Sequence, residues 1–313
     1  MKNFAKLIKL TLLVATSTVM FSCSDDDNVA PESNTIAAIA SRNPNFTTLV
    51  AALDRAGLVQ TLDQNGPFTV FAPTNAAFND FLADNGFTSL NDIPVDVLRE
   101  VLLNHVVNGT NLSTSLSTGY VKTLGKGSAS DSNTLSMFIN TASGVRLNGV
   151  ASVTTPDIVA SNGVIHVVDA VIGLPTVVTH AAANPGFSTL VSLLTQQNLV
   201  STLDGTASSP FTVFAPNNDA FTTFETQNPG VLAGLTSAQV TAVLTYHVVA
   251  GANVLSTGIP ATPITTFETG TFTIAGTTIT DESDRQTGII ATDVQASNGV
   301  IHVVNNVLLP TFD

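Results

Sequence analysis

The chain has 313 residues, of which 44% are hydrophobic and only 11% are charged, and its net charge is −13 at pH 7. That length and apolar fraction predict about two folded domains and exclude a chain that is disordered throughout. With 10 basic against 23 acidic residues, the surface repels polyanions, which argues against nucleic acid as a partner.

The first 22 residues have the pattern of an export signal. Three lysines precede the run LTLLVATSTVMF, which is apolar but too short to span a bilayer as a helix. Cys23, the single cysteine in the sequence, follows directly. We predict a signal peptide over residues 1–22, and its end resembles a bacterial lipobox in which Cys23 becomes the lipidated first residue. An ordinary signal peptide with an incidental cysteine is the alternative.

The segment after Cys23 begins SDDDN and lacks periodicity, which predicts a solvated acidic tether over residues 23–33. Acidic residues directly after a lipidated cysteine resemble the surface-export signal of Bacteroidetes lipoproteins. The resemblance implies an exported protein that is lipid-anchored to the outer membrane and exposed at the cell surface. Once the lysines of the leader are removed, 7 basic residues face 23 acidic ones, for a net charge of −16.

The rest of the chain contains two similar units. Four blocks of the first unit return in the same order in the second, at distances of 141, 143, 142 and 136 residues. They are 43–63 with 184–204, 67–81 with 210–224, 102–111 with 244–253, and 161–171 with 297–307. A period of this length indicates a duplicated domain rather than a solenoid. We predict domains over 34–174 and 175–313, with a linker near Pro175 so short that the domains touch or hold a restricted angle.

In chain order, each unit predicts helices first and strands afterwards. Helical spacing of apolar residues runs over 46–57, and a short β-type run at 68–71 is followed by Pro73. Thr74 and Asn75 offer cap oxygens for a helix that stops at Gly86, and another helix starts near Pro94. The equivalent helix of the second unit opens with the capping-box pattern of residues 236–239.

Beyond these helices both units become rich in Thr, Ser, Gly, Val and Ile, in short alternating segments that predict strands. Examples are residues 136–141, 144–150, 271–280 and 287–294. Each unit then ends in the apolar string GVIHVV, at 163–168 and 299–304, which predicts a strand buried on both faces. Gly163 and Gly299 at its start predict a close approach of two backbones. Helices followed by strands indicate the α+β class.

These motifs together resemble those of the fasciclin domain. The resemblance rests on TVFAPTNAAF at 69–78, TVFAPNNDAF at 212–221, HVV at 105–107 and 247–249, and the two NGVIHVV strings. It implies two tandem fasciclin-like domains, each a β-sandwich wedge with packed α-helices, and a role in extracellular adhesion. Pro73 and Pro216 then have a structural role, as the turn after a core anchor.

Four of the five histidines form two equivalent pairs. His105 and His247 each continue an apolar stripe at i, i+3, i+4 and i+7 into the last turn of a helix, where the ring can bond a free carbonyl. His166 and His302 stand inside the apolar closing strands and need a hydrogen-bond partner there. We interpret all four as structural residues, with a metal ligand or general base as the alternative.

The resemblance also implies a candidate adhesion motif. In adhesive fasciclin domains, a Tyr-His step at this position is linked to receptor binding. The second unit has Tyr246-His247, whereas the first departs from the pattern with Asn104-His105. The second domain is therefore the better candidate for recognition. The alternative is that Tyr246 only packs and hydrogen-bonds locally.

The sequence lacks the usual signatures of catalysis. It has no HExxH, no cysteine pair, no acidic calcium loop, no nucleophile elbow and no phosphate-binding glycine loop. We therefore predict no catalytic residues, no metal and no cofactor. Asp157 and Asp293 occupy equivalent positions before the closing strands and are interpreted as turn residues.

Taken together, these features predict a non-enzymatic surface lipoprotein that mediates attachment to extracellular matrix, polysaccharide or other cells. Its partners are an extracellular protein or polysaccharide, and the membrane through the lipid. One alternative is a carbohydrate-binding protein of a nutrient-uptake system, although sugar platforms usually expose Trp or Tyr and this chain has no Trp and only Tyr120 and Tyr246. A hydrolase with unrecognised carboxylates and a structural envelope protein are the others.

Overall fold

The computed structural model describes residues 33–205 and 207–312. The predicted signal peptide, Cys23 and the predicted tether up to residue 32 lie outside the described residues. Residues 34–313 form one compact unit, and every helix and strand given below belongs to it. In the described ranges, no helix combines the length and apolar character that a bilayer crossing needs.

The first repeat opens with helices. They are α1 (Ile36–Arg42), α2 (Thr47–Arg55), α3 (Val59–Asp63), α4 (Asn75–Asp84) and α5 (Val95–Leu103). The predicted cap of α4 is confirmed, because the Thr74 hydroxyl accepts a hydrogen bond from the Ala77 N–H. Thr35 caps α1 in the same way through the Ala38 N–H.

The strands of the first repeat are paired in chain order and close into a barrel. They are β1 (Phe68–Pro73), β2 (Val106–Asn108), β3 (Gly119–Gly127), β4 (Ser130–Asn140), β5 (Arg146–Leu147), β6 (Ala151–Ala160) and β7 (Gly163–Val168). The closing strand β7 lies between β1, to which it is parallel, and β6, to which it is antiparallel. This central position explains why its sequence is apolar on both faces.

The second repeat follows the same plan. Its helices are α6 (Val177–Ala183), α7 (Ser188–Gln196), α8 (Val200–Asp204), α9 (Asn218–Gln227), α10 (Val231–Gly234) and α11 (Ser237–Tyr246). Its strands are β8 (Phe211–Pro216), β9 (Val248–Ala250), β10 (Ile264–Thr265), β11 (Thr271–Ala275), β12 (Thr278–Thr280), β13 (Gln286–Ala296) and β14 (Gly299–Val304). They form a sheet in the order β10-β11-β12-β13-β14-β8-β9, with β14 and β8 parallel.

Each repeat has two hydrophobic cores. One lies between the helices and the strands, around Phe46 and Phe78 in the first repeat and around Phe187 and Phe224 in the second. The other is formed mainly by side chains of the strands and of the segment after the closing strand, joined in the second repeat by Tyr246 at the end of α11. The α+β class predicted from the sequence is confirmed, because helices and strands of each repeat share a core.

The closing strand is held at its first residues by two features. A Cβ on Gly163 would overlap the Phe68 carbonyl oxygen, and one on Gly299 would overlap that of Phe211, so the predicted close backbone approach is confirmed. The preceding Asn162 side chain accepts from the Ile36 N–H and donates to the Leu62 carbonyl. The strand therefore fixes both the start of α1 and the end of α3.

Some strand predictions were wrong in detail. Residues 271–280 form a hairpin instead of one strand, because Gly276 at φ 62° turns the chain between β11 and β12. Residues 144–150 contribute only the two residues of β5, since Asn148 at φ 47° and Gly149 at φ 68° form a turn. The strand β1 runs through Pro73 instead of ending before it.

Candidate functional site

The helix-end histidines are buried and fully hydrogen-bonded. His105 follows α5, and its Nδ1–H donates to the Val101 carbonyl at 2.7 Å while Nε2 accepts from the Ile172 N–H at 2.9 Å. His247 follows α11 and makes the same pair of bonds, to Val243 at 2.7 Å and from Leu308 at 2.9 Å. Each ring therefore joins the end of a helix to the segment after the closing strand.

Burial also keeps these rings neutral. It lowers the pKa of His105 and of His247 to about 4, although the hydrogen bond to the helix carbonyl partly opposes the shift. Both ring nitrogens are already used within the protein, so neither ring has a free nitrogen with which to bind a metal or accept a proton from a substrate near neutral pH.

The Tyr-His step of the second repeat lies inside the protein. Tyr246 is 0% exposed and His247 is 2% exposed. The Tyr246 hydroxyl donates to the Thr271 carbonyl at 2.6 Å and accepts from the Glu282 N–H at 3.2 Å. These contacts support the alternative of local packing and argue against direct contact of either side chain with a receptor. Burial raises the pKa of Tyr246 above its usual range.

The first repeat uses the same position differently. Asn104, which replaces the tyrosine, is also 0% exposed. Its amide donates to the Gly173 carbonyl at 2.9 Å, and its oxygen accepts from the Thr123 hydroxyl at 3.1 Å. In both repeats the residue before the histidine therefore ties the helix end to the surrounding loops and strands, with different hydrogen-bonding groups.

The strand histidines make a second repeated arrangement. The Nε2–H of His166 donates to the Asn111 carbonyl, and that of His302 donates to the Val254 carbonyl, both at 2.9 Å. The other ring nitrogen accepts a backbone N–H, from Asp157 at 3.2 Å and from Asp293 at 3.4 Å. Each histidine thus holds a loop against the closing strand. Burial lowers the pKa of His302.

The aspartates beside these histidines bind serines rather than complete a catalytic triad. Asp157, at φ 63°, accepts from the Ser113 hydroxyl and N–H at 2.5 and 2.7 Å, and Asp293, at φ 64°, accepts the same two bonds from Ser256. The Ser113 hydroxyl and N–H hold the pKa of Asp157 below its usual range. In a triad the histidine would have to contact the serine, whereas here the serine hydroxyl is bound to the carboxylate.

The two prolines end the first strand of each repeat. Pro73 and Pro216 are buried and pair with Val168 and Val304 of the parallel closing strands. In the first repeat the next residue, Thr74, is the N-cap of α4. Across residues 33–205 and 207–312, no group of three or more His, Cys, Asp or Glu side chains is arranged to hold a metal ion.

The short linker predicted that the two repeats touch, but not which residues meet. Strand β4 packs on β13, where the Gln295 N–H donates to the Ser136 hydroxyl at 3.0 Å in a buried position. The Ala129 N–H donates to the Ser297 carbonyl at 2.9 Å, and the Lys122 ammonium donates to the Asp293 carbonyl at 2.9 Å. These bonds join residues more than 150 positions apart, so sequence periodicity could not reveal them.

The fifth histidine, His180 of α6, lies at this junction. It is 0% exposed, and its Nε2–H donates to the Gln295 carbonyl at 3.3 Å. Its ring stands edge-on to Tyr120 of the first repeat, with centroids 5.6 Å apart. Burial lowers the pKa of His180 to about 4 and raises that of Tyr120 to about 12. Both tyrosines of the chain therefore serve internal contacts, which argues against a tyrosine platform for sugars.

The decisive comparison is with sequence families. A profile of the Fasciclin domain matches residues 44–175 and again residues 185–310. The chain belongs to the fasciclin family. The resemblance and the tandem arrangement predicted from the motifs are confirmed. Fasciclin domains are generally involved in cell adhesion or binding, and proteins of the family are generally non-enzymatic.

Relatives occur in bacteria and in animals. A protein of Synechocystis sp. is 41% identical over 138 residues, which cover 44% of this chain and 72% of that protein. Human periostin is 28% identical over 273 residues, which cover 84% of this chain but only 31% of periostin. The solved FAS1 domain pair of the insect cell adhesion molecule fasciclin I is 21% identical, with 83% of this chain and 92% of that chain covered and a TM-score of 0.48.

Proposed function

We propose that this protein is a surface-displayed bacterial lipoprotein that attaches the cell to an extracellular protein or polysaccharide. The observation that carries the proposal is the pair of fasciclin domains, which are joined by direct hydrogen bonds within one compact unit. Members of this family are generally involved in adhesion or binding, and the internal use of its histidines and tyrosines leaves recognition to other surfaces.

The proposed location at the cell surface is based on the N-terminal sequence. A basic start, a short apolar run and Cys23 match the order of a lipoprotein leader, and the acidic residues that follow favour display at the cell surface. A lipid on Cys23 would hold the domains near the membrane through the tether. Two linked domains can then bind a repetitive ligand with an avidity above that of either domain alone.

The test combines attachment and anchoring in the native cell. Cells that carry the intact gene, a deletion, or Cys23→Ser are compared for attachment to immobilised matrix proteins, to polysaccharides and to each other. Labelling with a palmitate analogue and surface proteolysis report lipidation and exposure. We expect attachment to fall in the deletion and in Cys23→Ser, with loss of the lipid label in the latter.

Other outcomes separate the alternatives. If the deletion weakens cell integrity but leaves attachment unchanged, the adhesion proposal is wrong and a structural envelope role is supported. Loss of growth on one polysaccharide, with attachment unchanged, would instead favour the nutrient-uptake alternative. A Cys23→Ser protein that remains labelled and surface-exposed would contradict the proposed anchor.

A further inference from the structure

The second fasciclin domain contains an apolar cavity of about 690 Å³. Helices α7, α9, α10 and α11 form its walls, and the end of β8 with Val307 contributes to its base. Its apolar lining includes Leu193, Phe221, Leu232, Leu235, Val240 and Leu244. A volume of this size, mostly apolar with a few polar groups, is typical of a site for one small molecule.

The polar groups of the cavity have a restricted chemistry. His247 offers only its ring carbons, because both nitrogens bond within the protein. Thr222 and Thr226 on α9 carry hydroxyls, and each donates to a carbonyl of its own helix. Their lone pairs still accept hydrogen bonds. Glu225, one turn along α9, is exposed and accepts the Gly230 N–H at 2.6 Å.

The first domain fills the corresponding space with its own side chains. At the positions equivalent to Leu235 and Val240 it has Ile93 and Leu98, which are 2% and 1% exposed, whereas Leu235 and Val240 remain partly exposed. At the position of Glu225 it has Leu82, which packs against the core of the first domain. The difference follows from two side chains of the second domain. Val240 is shorter than Leu98, and Glu225 carries a charge where the first domain has the apolar Leu82.

The charges of the lining residues limit the ligand further. Glu225 is the one carboxylate among the lining residues, and none of them is a lysine or arginine. A carboxylate or phosphate inside the cavity would lack a cationic partner and would face both Glu225 and the acidic surface of the protein. An uncharged polar end could instead donate to the threonine hydroxyls or to Glu225.

We propose that this cavity binds a single lipid-like molecule that has an aliphatic chain and an uncharged, hydrogen-bond-donating end, such as a long-chain alcohol. The chain lies against the leucines and valines of α7, α10 and α11, and the polar end lies at the threonines and Glu225 of α9. The site belongs to the second domain alone and is independent of the proposed attachment function.

The first experiment measures binding to residues 34–313, the compact unit that contains all described helices and strands. The uncharged fluorophore N-phenyl-1-naphthylamine serves as the probe and dodecanol as the competitor. Val240→Phe fills the cavity, and Val97→Phe on the equivalent helix α5 is the matched control, because Val97 is 44% exposed. We expect Val240→Phe to weaken probe binding by about tenfold or more, whereas Val97→Phe leaves it unchanged. Equal binding to both variants would overturn the proposal.

The second experiment tests head-group selection and does not depend on filling the cavity. Glu225→Gln retains the oxygen that accepts from Gly230 and removes the charge, and the exposed Asp219→Asn removes an equal charge outside the lining. We expect dodecanol to displace the probe at a far lower concentration than dodecanoate at pH 8. Glu225→Gln should increase the apparent affinity of the cavity for dodecanoate by about tenfold. Asp219→Asn should leave the preference unchanged. Equal displacement by both compounds in the unsubstituted protein would overturn the proposed ligand class.

A third measurement separates a single bound molecule from a membrane surface. Residues 34–313 are sedimented with vesicles of phosphatidylcholine, with Val240→Phe beside them. The proposal requires no vesicle binding that depends on the cavity. Sedimentation that is lost in Val240→Phe would replace the single-molecule ligand by a lipid bilayer. Attachment of cells carrying Val240→Phe is expected to remain normal, which distinguishes this proposal from the adhesion proposal.

Discussion

At the scale of single residues, the histidines of this protein act as hydrogen-bonded connectors. Each of the four paired histidines has one ring nitrogen that donates to a carbonyl and one that accepts an N–H from another segment. A buried ring of this kind stabilises the fold through both hydrogen bonds, because removal of the ring leaves a backbone donor and a backbone acceptor without a partner.

We therefore expect His166→Ala to lower the free energy of unfolding by about 1–3 kcal/mol, because the Asp157 N–H and the Asn111 carbonyl lose their partner. Urea denaturation followed by circular dichroism measures the change. The control is Val159→Ala on the adjacent strand β6, since Val159 is 71% exposed and should shift stability by less than about 0.5 kcal/mol. An unchanged midpoint for His166→Ala would contradict the connector role.

The buried histidines also predict a dependence of stability on pH. Burial lowers the folded-state pKa of His105, His180 and His247 to about 4, whereas unfolded histidine titrates near 6.5. Between these values the unfolded chain binds more protons than the folded one. The free energy of unfolding therefore falls as the pH decreases from about 6.5 to about 4. Near His247, Asp281 opposes the pKa shift and Arg285 reinforces it, and Lys122 reinforces the shift of His180.

Urea midpoints at pH 7.5, 6.5, 5.5 and 4.5 measure this slope. His105→Gln should lower the free energy of unfolding at pH 7.5. It should also make the slope between pH 6.5 and 4.5 shallower, because the unfolded chain then has one histidine fewer that binds a proton. The carboxylates with lowered pKa values, such as Asp157 and Glu282, lose their contribution progressively below about pH 5. That loss is the same in both proteins, so the difference between their slopes reports His105. An identical slope in the variant would show that His105 is not held neutral by burial.

At the scale of elements, the closing strand organises each domain. Strand β7 pairs with β1 on one side and β6 on the other, and the residue before it fixes α1 and α3. Its first residue, Gly163, has a φ of 151° and contacts the Phe68 backbone so closely that a side chain has no space. The glycine is thus required by steric contact as well as by backbone conformation.

We expect Gly163→Ala to destabilise the protein by about 2 kcal/mol or more, because the added methyl overlaps the Phe68 carbonyl and the φ angle disfavours a side chain. Thermal melting measures the loss. Gly173→Ala is the matched control, since a Cβ there meets no atom within 4 Å and its φ angle lies outside the positive range. A melting temperature for Gly163→Ala equal to that of the control would refute the steric argument.

The sequence predicted those elements that depend on local chemistry. The cap at Thr74, the capping box at Thr236 and the apolar closing strands were recognisable because each is specified by neighbouring residues. The cavity of the second domain was not predictable, because it depends on which side chains of four separate helices meet. The burial of Tyr246 could not be predicted either, since its two hydrogen-bond partners lie 25 and 36 residues further along the chain.

At the scale of the whole molecule, the two fasciclin domains meet along β3 and β4 of the first and β13 and α6 of the second. The Gln295–Ser136 bond is buried there, and the ring of the partly buried Tyr120 stands edge-on to the buried His180. Polar bonds of this kind specify one arrangement of the domains, because a different arrangement would leave the same groups without partners. A fixed arrangement sets the spacing between any two binding surfaces and hence the avidity for a repetitive ligand.

A close backbone approach at this junction provides a test of the fixed arrangement. A Cβ on Gly127 would overlap the backbone of Ser297 in the second domain. We expect Gly127→Leu to separate the domains, to increase the radius of gyration in X-ray scattering, and to lower the free energy of unfolding by about 1–3 kcal/mol. Gly258→Leu, where a Cβ meets no atom within 4 Å, should change none of these quantities. If attachment depends on both domains in one arrangement, Gly127→Leu also reduces it while each domain remains folded. An unchanged radius of gyration would mean that the hydrogen bonds across β4 and β13 hold the junction without this contact.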